Sequence, residues 1–152
     1  MLLRPASMDD AAAIGELYLA SRKAFLPYAP LAHSDDAVRA WVRHLLLPAG
    51  GVTVAEVGGE ICGFVNTAET DGILWVDQLY VRPASVGRQT GTALLNRVLA
   101  GATGPVRLHT FQANHGARRF YERFGFAAVA ESDGADNEEG CPDLLYERQP
   151  DR

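Results

Sequence analysis

The sequence predicts an α+β sandwich on a mixed sheet, mostly antiparallel with one parallel crossover. Its hydrophobic period is helical up to about residue 46, two-residue from Gly50 to Val81, and then alternates between helix and strand. Glycine turns at Gly58-Gly59 and Asp71-Gly72 join the alternating runs as hairpins, and the breaker Gly104-Pro105 separates a helical stretch from a following strand, which gives a βαβ step. A chain of 152 residues with 47% hydrophobic residues suits one domain over 1–152 with a sizeable core.

Element by element, Leu2 to Ala6 is a short apolar run, and Ser7-Met8-Asp9-Asp10 reads as a capping-box variant that opens a helix. Ile14, Leu17, Tyr18, Ser21 and Phe25 share one face of that helix, which Pro27 and Pro30 end. A second helix starts near Ser34, with Asp35 and Asp36 at its positive end and a stripe of Val38, Trp41, Val42, Leu45 and Leu46, before Pro48 stops it. Val52 to Val57, Ile61 to Thr67 and Ile73 to Val81 are three consecutive antiparallel strands. Gly87 to Leu99 is helical and Val106 to Phe111 is a strand. Ala117, Phe120, Tyr121 and Phe124 form a helical face closed by Gly125, and Phe126 to Glu131 and Leu144 to Arg148 are the last strands. The expected order is β-α-α-β-β-β-α-β-α-β-β, with a long acidic loop, Asp133 to Asp143, between the final strands.

Fourteen basic against 19 acidic residues, a formal charge of -5, argue against a nucleic-acid binder, whose affinity rests on neutralising phosphates. Cys62 and Cys141 form no C-x-x-C and no disulfide framework, so reduced thiols in a cytoplasmic protein are expected. No apolar run reaches the length of a membrane span, no signal peptide is expected at the start, and no metal is expected.

Two segments carry chemistry. The first runs from Leu79-Tyr80-Val81-Arg82-Pro83 through Val86-Gly87-Arg88-Gln89-Thr90-Gly91-Thr92 to Leu94-Leu95. It resembles the acyl-CoA signature of the GNAT superfamily, a strand, a proline and then [QR]-x-x-G-x-[GA] opening a helix. Backbone N–H groups at a helix N-terminus face a pyrophosphate there, which side chains would obstruct. Anchored on Pro83 and Leu94-Leu95, Val86 stands where the family prefers Gln or Arg and Gln89 where it prefers glycine. A second register, Arg88-x-x-Gly91-x-Ala93, matches the letters fully but shortens the link from the proline. The second segment, Asn114 to Phe126, resembles the family's N-x-x-A-x-x-F-Y-x-x-x-G-F at every fixed position.

The resemblance implies a three-layer sandwich and transfer of an acetyl group from acetyl-CoA to a primary amine, with a homodimer as one possible assembly. It places acetyl-CoA against Leu79, Tyr80, Val81, Val86, Gly87, Arg88, Gln89, Thr90, Gly91, Thr92, Asn114 and Ala117, and makes Tyr121 the proton donor to the departing thiolate. By its pattern alone Tyr121 reads as a core residue with a hydrogen-bonded hydroxyl. Alternation on the third strand puts Trp75, Asp77, Leu79 and Val81 on one face, so Asp77 is the first choice for the base that deprotonates the amine and His109 the second; a carboxylate held by neighbouring groups is the plain reading of Asp77. The resemblance places acceptor specificity in the first helices and the last loop, here Phe25, Tyr28, His33, Trp41 and the acidic stretch Asp133 to Asp143, whose carboxylates, Glu138 and Glu139 among them, would attract an ammonium. An acyl-CoA sensor or an interaction domain with the same fold and no turnover is the alternative reading.

Overall fold

The computed structural model describes residues 1–150; residues 151 and 152 of the expected domain lie outside them. Strands β1 (Leu2–Pro5), β2 (Val52–Val57), β3 (Glu60–Thr70), β4 (Ile73–Val81), β5 (Val106–Phe111), β6 (Ala127–Ser132) and β7 (Asp143–Arg148) form one sheet in the order β1-β2-β3-β4-β5-β7-β6. Only β4 and β5 pair in parallel, as the single predicted crossover requires. Helix α1 (Ala11–Phe25) and α2 (Asp35–Trp41) cover one face, where Ile14, Leu17, Val38 and Val42 pack with Val54 and Phe64. Helices α4 (Thr90–Gly101) and α5 (His115–Arg123) cover the other, where Leu94, Leu95 and Phe120 pack with Val65, Val76, Leu108 and Tyr146. Burying apolar side chains on both faces makes the three layers, and the order of elements is the expected one.

The junction of β1 with α1 rests on Asp10, whose carboxylate accepts the Ser7 N–H at 2.8 Å and a two-pronged bond from Arg4 at 2.8 and 2.9 Å. The Arg4 guanidinium holds the Asp10 carboxyl below its usual range, against partial burial that pushes it up.

The second helix departs from expectation. Pro48 does not stop it, because Val42–Leu46 opens into a wider π turn and the chain continues through α3 (Leu47–Ala49), with proline in the first turn, where no N–H is needed. The wider turn rotates Leu45 off the buried stripe, leaving it 64% exposed. Two glycines with positive φ then turn the chain into β2. At Gly51 a Cβ would sit 2.2 Å from the Thr67 carbonyl oxygen, so only glycine fits.

Helix α4 begins at Thr90 rather than near Gly87, since Gly87 (φ 83°) and Gln89 (φ 67°) both hold left-handed conformations. In β4 the register against β3 shifts between Asn66 and Thr67, which pair with Gln78 and Val76 and leave Asp77 as a bulge. That extra residue corrects the predicted alternation: Leu79 packs with Leu74 and Val76 on the α4 and α5 face, while Asp77 borders a cavity beneath α2 on the opposite face.

Replacing Asp10 by Ala is expected to cost about 1 to 2 kcal/mol, the worth of a helix cap. Because the folded pKa lies below the unfolded one, the Asp10 contribution is present above about pH 4 and is lost as the pH falls through the folded value. Denaturant titrations should therefore find the difference between wild type and variant at pH 7 and see it shrink towards pH 2; a constant difference would contradict this account.

Candidate active site

The site originates in a short pairing. β4 and β5 are matched only at Leu74 with Val106 and Trp75 with Arg107, after which β4 runs on without β5 beside it. Antiparallel pairs alternate between bonded and non-bonded, and the Arg82 N–H donates to the Cys62 carbonyl at 2.7 Å. Counting back along the register, the N–H and C=O groups of Val81 and Leu79 point away from β3 towards the opened edge. The Asp77 bulge sets this parity, since the Leu74 N–H already faces the β5 side, bonding to the Pro105 carbonyl at 3.0 Å.

Along this edge lies a groove of about 550 Å³. Leu79, Tyr80 and Val81 form one side, Val86, Gly87, Gln89, Thr90, Gly91 and Thr92 the end at α4, and Asn114, Ala117 and Tyr121 the side at α5. Of the residues that the resemblance places against acetyl-CoA, Arg88 alone is not on its wall. A Cβ on Gly91 would meet Phe120 at 3.5 Å and Val81 at 3.6 Å. Asn114 caps α5, its Oδ1 accepting the Ala117 N–H at 3.2 Å. Gln89, at the N-cap of α4, has the left-handed conformation of the glycine for which it substitutes in the register anchored on Pro83.

Tyr121 reaches the groove from α5 between Phe120, Phe126 and Tyr146. Burial, helped by the neighbouring Tyr80, pushes its phenol further up from the ordinary tyrosine value. Its hydroxyl has no hydrogen-bond partner among the described residues, so its donor is free for a ligand in the groove.

Asp77 stands across the sheet from Leu79, next to Gln78. Partial burial raises its carboxyl above the ordinary range, and the charge of His109 on β5 opposes the rise. His109 stacks on Trp75 with ring centroids 5.5 Å apart, so the two candidate bases of the sequence share the α1 and α2 side of the strand pair.

The expected acceptor residues divide. Phe25 lines the groove and Trp41 the cavity beside Asp77, but Tyr28, Glu138 and Glu139 border neither. Tyr28 packs edge-on against Phe111, Glu138 lies 3.2 Å from His33 Nε2, and Glu139 is paired with Arg22 at 3.4 Å. Arg22 was not singled out in the sequence. It is 5% exposed, donates to the Ala29 carbonyl at 2.9 Å and lies over the Phe111 ring. Its signal was available: residue 22 lies one turn beyond Tyr18, beside the buried face of α1. Ser21, Leu26, Ser85, Gly116, Phe120 and Arg123 also line the groove unforeseen; Arg123 follows Phe120 by nearly one turn, with its guanidinium over that ring.

Among the described residues no cluster of His, Cys, Asp and Glu is arranged to hold a metal, and no helix is long and apolar enough to cross a membrane. Solved structures of like shape include a GNAT-family acetyltransferase from Bacillus cereus (TM-score 0.77, 18% identity, 99% of this chain and 98% of that one). Others are the PaiA N-acetyltransferase of Thermoplasma acidophilum in complex with coenzyme A (0.75, 18%, 97% and 98%) and a ribosomal-protein-alanine N-acetyltransferase from Brucella melitensis (0.77, 15%, 98% and 99%). At such identities the likeness establishes the fold. Among curated proteins no sequence matches this chain. The acetyltransferase (GNAT) family model, however, matches residues 16–126, the span from α1 through Phe126 that builds the groove, and the chain therefore belongs to that family.

Proposed function

We propose that residues 1–152 act as one domain that moves an acetyl group from acetyl-CoA to a primary amine by direct attack on the thioester. The observation that carries this reading is the unpaired edge of β4, where the Leu79 and Val81 backbone faces a groove bordered by Gly91 and Tyr121. An extended pantetheine arm suits that edge, because its amides can complete hydrogen bonds that β5 leaves open. The α4 end suits the pyrophosphate: it presents backbone N–H groups at a helix N-terminus, with Arg123 as a nearby cation. PaiA of Thermoplasma acidophilum, similar in fold, is known in complex with coenzyme A.

The thioester supplies an acyl carbon open to attack by nitrogen. Asp77 takes one proton from the ammonium, freeing the lone pair, and its raised affinity for protons suits it to that task. As the N–C bond forms, the C–S bond breaks with its electron pair on sulfur. The new amide nitrogen loses its second proton to water, and sulfur gains one. With its phenol pushed up, Tyr121 serves sulfur best by hydrogen bonding to the growing negative charge as the proton moves. Backbone N–H groups at the β4 edge polarise the carbonyl oxygen.

Release of free thiol from acetyl-CoA in the presence of primary amines tests the reading. Tyr121→Phe is expected to lower kcat about 100-fold or more while the KM for acetyl-CoA stays within about twofold. An unchanged kcat would remove Tyr121 from the chemistry. Acetyl-CoA binding with no thiol release from any amine would favour the sensor. In Gln89→Gly, relief of the left-handed strain is expected to stabilise the fold by about 1 kcal/mol and to tighten acetyl-CoA binding, checked by thermal unfolding and calorimetry. A loss of stability would mean that the Gln89 side chain contributes more than its backbone strain costs.

A further inference from the structure

Part of the acceptor region expected from the sequence is taken up by contacts within the protein. Arg22 occupies the space between α1 and the last loop, bound to Glu139 and the Ala29 carbonyl, and Cys141 Sγ reaches the Tyr28 carbonyl at 3.4 Å. The carboxylates meant to attract an ammonium are thus engaged by a buried guanidinium and by His33.

Elsewhere on the same face of β4 a cavity of about 680 Å³ opens beside Asp77. Trp41 and Leu45 form its helical wall, and Ala68 and Gln78 lie on the strands. It owes its shape to features already met: the π turn swings Leu45 outward, and Gly51 brings the chain close against Thr67. Its ionisable residues are Asp77 and Glu69, and no Lys, Arg or His lines it. Asp77 has no hydrogen-bond partner or ion pair among the described residues. The volume suits a small organic molecule, an indole and an exposed leucine favour an apolar body, and the carboxylates of Asp77 and Glu69 favour a cation.

We infer that the acceptor enters through this cavity and is a small primary amine carrying an aromatic or other apolar body, its ammonium on Asp77 and its body against Trp41 and Leu45. This rests on the transfer reading above, with Asp77 as base. Asp77 and Gln78 border the cavity and the next residue, Leu79, lines the acetyl-CoA groove, so consecutive residues of β4 border the two compartments. A polyamine, which offers little apolar surface, would leave Trp41 and Leu45 uncovered.

Calorimetric titration of the full chain with phenethylamine, 2-phenylethanol and spermidine, alongside acetyl-CoA, tests the inference. Ala68 is exposed on β3, so Ala68→Trp can fill the cavity without disturbing the core. The Kd of phenethylamine is expected to rise at least about tenfold in Ala68→Trp, the penalty of overpacking a formed site, while the Kd of acetyl-CoA stays within about twofold. Asp77→Asn is expected to weaken phenethylamine about threefold to fivefold, as loss of a partly screened ion pair does, without affecting 2-phenylethanol. No phenethylamine binding to the wild type, an unchanged Kd in Ala68→Trp, or tighter binding of spermidine would overturn the inference. If acetyl-CoA binds in those cases, only the acceptor assignment falls; if acetyl-CoA also fails to bind the wild type, the transfer reading falls with it.

Discussion

The organisation of this molecule follows from how briefly β4 and β5 stay together. Parallel strands joined by a helical crossover ordinarily pair along their length, and here the pairing spans Leu74 with Val106 and Trp75 with Arg107 before the strands part. Past that point β4 keeps β3 on one side and presents bare backbone on the other, a costly arrangement for a buried strand unless something completes it. The bulge at Asp77 makes the separation useful. By inserting one residue it aims the Leu79 and Val81 backbone groups at the gap, and it keeps Leu74, Val76 and Leu79 together in the core below α4. Both cavities border this one strand, one at the bulge with Asp77 and Gln78 and one along Leu79 to Val81.

Much of this was legible in the sequence. The switch from helical to alternating periodicity, with Gly58-Gly59 and Asp71-Gly72 as turns, placed β2, β3 and β4, because those signals are local and read one chain segment at a time. The Asn114 cap was equally legible, since a capping side chain bonds three residues ahead. The bulge was not. Strict alternation put Asp77 on the face of Leu79, and only the register against β3, a contact between segments, reveals the extra residue. Pro48 misled for a related reason: a proline reads as a stop, yet a widened turn before it leaves its missing N–H without consequence.

The acceptor side shows the same limit more sharply. Glu138 and Glu139 stand in a run of acids that reads as an attractive field for a cation. Folding brings Arg22 from α1 to within 3.4 Å of Glu139, across more than a hundred residues of chain, and that carboxylate helps to hold the loop. A buried guanidinium keeps its charge and demands partners, and Glu139 of the acidic loop is one of them. The cavity at Asp77 stays open, and the Asp77 carboxylate has no hydrogen-bond partner among the described residues.

The most direct test of the central claim, that the opened β4 edge and the α4 terminus receive acetyl-CoA, is a calorimetric titration of wild type and Gly91→Arg with acetyl-CoA. Gly91 lines the groove between Phe120 and Val81, so an arginine there must project into the space the ligand would occupy. The account predicts micromolar binding in the wild type and its loss in a variant that remains folded by circular dichroism. Equal binding in both proteins, or none in the wild type, would contradict it.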